Sequence, residues 1–165
     1  MTCAALCVAL CQVLPLLTGQ IPQVGKSLLP MHIPAFLAGY LCGPWWALAV
    51  GLVSPLLRHI LFGMPQVPSC YAMAAELATY GFVCGFCYQR SAKKTKHIYA
   101  SLLLAMVLGR ITGGLAMKLL MVAKDSPYTW AQFFAAYGVN GLPGAVLHIL
   151  LVPVLVRALQ RQRTF

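Results

Sequence analysis

The sequence predicts an all-α integral membrane protein: six transmembrane helices in one compact bundle, with both termini cytoplasmic. Three observations predict it. The 165-residue chain is 61% hydrophobic and 8% charged, against about 25% charged residues in soluble domains. Its apolar residues gather into six stretches of roughly the length a bilayer requires. Its basic residues collect in alternate connections, as the positive-inside bias demands. The length fits a single domain over residues 1–165. A net charge of +10 would suit a nucleic-acid binder only if it formed a solvated basic face. Here most basic residues sit beside apolar spans, so no nucleic-acid partner is expected.

The first apolar stretch, residues 2–17, lacks a basic lead-in and a clear cleavage site. It reads as a retained span and not a signal peptide, and its shortness points to a start upstream. The second and third, 31–43 and 44–62, form one apolar block that we divide at Gly43-Pro44. Glycine commonly ends a helix, and proline has no N–H to continue one. The second is then too short to cross upright, and is expected to be tilted, partly loop or broken. The fourth covers 70–90, the fifth 98–122 and the sixth 132–158. Clusters of proline, glycine and polar residues supply the connections at 18–29, 63–69, 89–97 and 123–131.

Arg90, Lys93, Lys94 and Lys96 lie in one connection, and Arg157, Arg161 and Arg163 near the C-terminus. Six spans put both groups on one face, the cytoplasmic one. With this orientation Arg58 lies about 6 Å from the outer end of its span and Glu76 about 9 Å below the same surface, at 1.5 Å of rise per residue. Arg110 falls near mid-membrane. Lys118, His32, Tyr137 and Asn140 fall in the outer half, whereas the inner half carries almost no polar group apart from His148 near the middle. This asymmetry suggests a polar pocket open outward and closed below, since a through-pore needs polar lining along its whole length.

Charges inside hydrocarbon are costly and persist when paired or facing a polar cavity. Glu76 is one of only two acidic residues and is expected to form a structural ion pair with an arginine. Arg58, Arg110 and Lys118 together exceed that one carboxylate. A bound anion would neutralise the excess; snorkelling of Arg58 and Lys118 to the interface is the competing account. His32 and His59 read first as hydrogen-bonded neutral histidines, with metal or haem ligation as the alternative. The seven cysteines read mainly as small packing or lipid-facing residues; Cys3, Cys7 and Cys11 share one helix stripe. Cys84-x-x-Cys87 lacks the second ligand pair of a zinc site, and no metal is expected. Trp45 and Trp46 look like anchors at the inner interface, and Trp130 like an anchor or pocket wall at the outer one. Ala5-x-x-x-Ala9 and Gly81-x-x-x-Gly85 permit close helix approach, by default within the bundle and alternatively to a partner.

Three segments carry a family resemblance: Leu29-Pro-Met-His-Ile-Pro-Ala-Phe-Leu-Ala-Gly-Tyr-Leu-Cys-Gly-Pro, Gly51-Leu-Val-Ser-Pro-Leu-Leu-Arg-His-Ile-Leu-Phe-Gly-Met-Pro and Glu76-Leu-Ala-Thr-Tyr-Gly. In these the chain resembles the substrate-binding S component of energy-coupling factor (ECF) transporters. The resemblance implies a six-helix vitamin-capture subunit of a prokaryotic cell membrane that works with a membrane T component and two cytoplasmic ATPases. It also implies that Ala5 and Ala9 contact the T component. The chain has no Gly-x-x-x-x-Gly-Lys-Ser/Thr loop with which to hold ATP, so ATP would be used by the partners and no cofactor of its own is expected. It has no acid pair or nucleophile–base arrangement, so no enzyme activity is expected. The ligand expected from the charges is a small anionic vitamin or cofactor precursor. Its candidate contacts are Arg58, Arg110, Lys118, His32, Tyr137 and Asn140. A pantothenate-like carboxylate is favoured, with folate, haem, cobalamin and a queuosine precursor kept open. A stand-alone secondary transporter of a small organic anion is the alternative reading.

Overall fold

A computed structural model describes residues 2–17, 30–91, 95–124 and 141–162. These residues contain six helices and no strand: α1 (Thr2–Leu17), α2 (His32–Cys42), α3 (Pro44–Phe62), α4 (Ser69–Gln89), α5 (Thr95–Val122) and α6 (Leu142–Gln162). Four of them, α3 to α6, are long and apolar enough to cross a membrane. At 1.5 Å per residue, α5 is about 42 Å long and exceeds a hydrocarbon core, whereas α2 reaches only about 16 Å.

The apolar block divides where the glycine–proline pair places it. Gly43 has φ +92°, a backbone state that a side chain disfavours, and Pro44 opens α3. The other end of α3 closes on Gly63, left-handed at φ +68°, whose N–H donates to the carbonyl of His59. Of the forms expected for the second element, tilted, partly loop or broken, the last two need correction. α2 is an unbroken helix of 11 residues, and His32 to Tyr40 are all buried. It touches α1, α3, α4 and α6. A helix apolar on every side is stable when it is enclosed by others. The start of the sixth expected span, 132–140, lies outside the described residues.

Successive helices run in opposite directions. Cys11 Sγ meets the carbonyl of Met31 at 3.6 Å, Gln12 donates to Ser54 O at 3.0 Å, and Cys70 Sγ lies 3.4 Å from Pro55 O. These contacts mark one end, the Gly63 end. At the other, the Arg90 end, the Tyr40 hydroxyl donates to Ile98 O at 3.0 Å and the Tyr88 hydroxyl donates to Gln160 Oε1 at 3.1 Å.

Small residues set how closely the helices approach. A Cβ on Gly81 would lie 2.8 Å from Ala47 Cβ, and one on Gly85 would lie 2.8 Å from Pro44 N and 2.9 Å from Gly39 O. The Gly81-x-x-x-Gly85 spacing therefore serves packing of α4 onto α2 and α3. Ala5 and Ala9 are exposed on α1, while Ala4, Cys7 and Cys11 face inward.

Candidate functional site

Buried polar side chains converge where α2, α4, α5 and α6 meet. His32 is the first residue of α2 and is 1% exposed. Its Nε2 lies 3.7 Å from Glu76 Oε1, and the same oxygen accepts a 2.5 Å hydrogen bond from the Tyr80 hydroxyl. The His32 ring stacks on that of His148, with centroids 5.7 Å apart and planes 14° from parallel, and meets Tyr80 at 5.3 Å. Phe36 lies one turn further along α2 and packs on Tyr80 at 4.8 Å and on His148 at 5.5 Å. Below it the core is apolar, with Leu102, Ala105, Val152 and Val156 fully buried.

Four-residue spacing builds this arrangement. His32, Phe36 and Tyr40 form a ladder on α2; Glu76, Tyr80, Cys84 and Tyr88 form one on α4; His148, Val152 and Val156 form one on α6. Residues four apart share a helix face. The polar members occupy the Gly63 end of each ladder. α5 supplies room: Gly113 leaves space that a Cβ would take 2.8 Å from Glu76 Cβ, and a Cβ on Gly109 would overlap the Tyr80 ring. Neither glycine was singled out from the sequence, although their own spacing of four is the same signal as Gly81 and Gly85.

Neither ring nitrogen of His32 has a hydrogen-bond partner among the described residues. A buried polar group without a partner costs about 1–3 kcal/mol, and such groups are uncommon enough to mark places where a ligand or water completes the bonding. The cluster offers one carboxylate, two imidazoles and a phenol, able to accept and donate hydrogen bonds at one depth.

The remaining expected site residues are spread out. Arg110 Nη2 donates to Gly141 O at 2.8 Å, and a Cβ on Gly141 would overlap the guanidinium. This places Arg110 at the head of α6. Arg58, 7% exposed, donates to Gln12 O at 3.1 Å and lies 5.2 Å over the Phe62 ring. With the Gln12–Ser54 bond it clamps α1 to α3, on the α3 side of α4. Arg58 and Arg110 thus belong to different helix seams. Lys118 is half-buried near the Gly63 end of α5. Glu76 was expected to pair with an arginine; among the described residues the basic side chain within 4 Å of its carboxylate is instead His32, at 3.7 Å. His59 is hydrogen-bonded, its Nδ1–H donating to Pro65 O at 2.8 Å. Tyr137, Asn140 and Trp130 lie outside the described residues. Tyr80 and His148 are the members that sequence reasoning left out of the site; Tyr80 stands one turn from Glu76, which was the available signal.

A family model described as ECF transporter, substrate-specific component, matches residues 1–156. The chain belongs to this family. Comparison with curated proteins and with solved structures finds no match. As an ECF substrate-specific component the chain is a membrane transport subunit. Its buried polar cluster is then a candidate contact surface for what it carries.

Proposed function

We propose that this chain is the substrate-capture subunit of an ATP-driven ECF importer for a small anionic vitamin or cofactor precursor. The observation that carries the reading is the family match over residues 1–156. Six membrane passes with both termini cytoplasmic are part of the proposal, supported by the alternating helix directions. The Gly63 end then faces outward, in a prokaryotic cell membrane. The chain is a transport subunit and no enzyme; ATP is used by two cytoplasmic ATPases reached through a membrane T component.

The anionic character of the ligand follows from charge. Arg58, Arg110 and Lys118 stand in the half toward the Gly63 end, where Glu76 is already engaged by Tyr80 and faces His32. Basic side chains gathered at one end of the bundle set up a positive potential that favours an anionic ligand there. Arg110, Lys118 and His32 are the proposed contacts, joined by Tyr137 and Asn140. Arg58 contributes positive potential from the neighbouring seam while holding α1. A pantothenate-like carboxylate fits best among the ligands considered, because it is small and singly charged.

Mass spectrometry of the detergent-purified protein tests this, with a carboxylate-bearing ligand expected to copurify. Arg110→Ala removes a charge-assisted hydrogen bond worth about 1.5–3 kcal/mol, so affinity should fall about 10–100-fold. Arg110→Lys should recover part of it. A neutral or cationic ligand indifferent to Arg110→Ala would overturn the charge argument.

Docking is tested separately. Ala5 and Ala9 are exposed on α1, as a close helix–helix contact with the T component requires. Ala9→Leu should abolish copurification with the T component while ligand binding stays unchanged. Undiminished assembly would remove this face from the proposal.

A further inference from the structure

At the Arg90 end, far from the polar cluster, three thiols meet. Cys3 and Cys7 are one turn apart on α1, and Cys42 is the last residue of α2. Their Sγ atoms all lie within 4.8 Å of one another. Cys7 is buried, Cys3 and Cys42 are half-buried, and none is in a disulfide. Cys42 stands ten residues from His32 along α2, or about 15 Å, so the two sites are separate.

We propose that Cys3, Cys7 and Cys42 form a binding site for a soft, thiophilic cation of the cuprous class. Thiolate sulfurs about 2.3 Å from a metal centre lie about 4 Å apart when three surround it in a plane. The three thiols need only a small closure to reach that geometry. An all-sulfur, three-coordinate set selects soft ions such as Cu(I) over hard ones, which take oxygen ligands. Among the described residues the group holds these three ligands and no fourth histidine, cysteine or carboxylate. That suits a trigonal ion better than a tetrahedral one.

Charge and access agree with this occupant. Each ligating cysteine gives up its proton to solvent as the metal–sulfur bond forms, and no electron moves. A monovalent ion held by three thiolates carries net negative charge, which is costly in an apolar setting unless cations stand near. Cys42 lines a groove of about 370 Å³ together with Trp45, Trp46, Gln89 and Arg90. Arg90 is exposed at the rim, and Arg157 and Arg161 occupy the same end of the bundle on α6. Cys42 and the basic Arg90 thus line one groove. In the proposed orientation this end faces the cytosol, where thiols stay reduced.

Purified protein kept under a non-thiol reductant and titrated with Cu(I) buffered by a competing chelator tests the site. We expect a single bound equivalent, and X-ray absorption showing sulfur neighbours only, about 2.3 Å away. Cys7→Ser and Cys42→Ser should each lose the bound equivalent; Cys87→Ser should keep it. Cu(I) should also protect Cys3 and Cys42 of the unmodified chain from maleimide while leaving Cys87 reactive, a readout that does not depend on whether variants fold. No retained Cu(I), retention unchanged in Cys42→Ser, or oxygen and nitrogen neighbours in the spectrum would each overturn the proposal. Neither result bears on the vitamin ligand, which is read at the opposite end.

Discussion

Gly51→Leu is expected to separate α3 from α4 and to be among the most destabilising single changes in the bundle. A Cβ at this position would come within 2.6 Å of Ala78 Cα and 2.5 Å of the Leu77 carbonyl carbon. Both are helix backbone, so no rotamer change relieves the clash. Lipid tails are as apolar as leucine, so close packing of this kind is a main force between membrane helices. Overpacking a tight core costs typically 1–3 kcal/mol and sometimes more. We expect the upper end, a fall in Tm on the order of 10 °C. Thermal unfolding in detergent, followed by near-ultraviolet circular dichroism, gives the comparison. Gly63→Ala is the control: a Cβ there meets nothing within 4 Å, and the cost is only that of a left-handed backbone, about 1 kcal/mol. Equal effects from the two would show that the α3–α4 seam is looser than described.

Loss of the Glu76 carboxylate should be the second large effect, and its chemistry is separable. Glu76→Ala removes the carboxylate oxygen that accepts from the buried Tyr80 hydroxyl and that lies 3.7 Å from His32 Nε2. An orphaned buried group costs about 1–3 kcal/mol, and the lost side chain adds a cavity beside Gly113. Glu76→Gln keeps an oxygen that accepts from Tyr80 and fills the same volume. The expected order of stability is therefore unmodified chain, then Gln, then Ala, with the Gln variant losing less than half as much as Ala. Ligand affinity should follow a different order if His32 contacts the ligand: His32→Ala should weaken binding more than Glu76→Gln does. Identical stability for the Gln and Ala variants would mean that the Tyr80 bond contributes nothing.

The split between what the sequence reveals and what it hides follows from the range of each interaction. Helix ends are short-range. Gly43-Pro44 and Gly63 act through their own φ angles and the missing proline N–H, so the boundaries of α3 were legible. The burial of α2 was half legible: the apolar run after His32 announces a helix, but only neighbours on every side explain why so short a helix is stable. Glu76 was conspicuous as a charge in an apolar run. Its partner was not, because choosing between His32 and an arginine requires knowing which seam each helix face enters. The cations show the same limit. Depth along each helix follows from rise per residue, and it put Arg58 toward the outer end and Arg110 near the middle. Azimuth around the helix axis depends on packing, and it sent Arg58 toward α1 and Arg110 toward α6.

By itself the sequence determined the all-helical membrane class and both ends of α3, since composition, hydropathy and local backbone chemistry act within a few residues. Only the tertiary structure decided which side chains meet: Glu76 with His32 and Tyr80, His148 on His32, and Cys42 with Cys3 and Cys7. Apart from Glu76 and Tyr80, one turn apart on α4, those pairings join residues 35 or more positions apart, and the small residues that let the helices close, Gly51, Gly109 and Gly113, act only once a neighbour is in place.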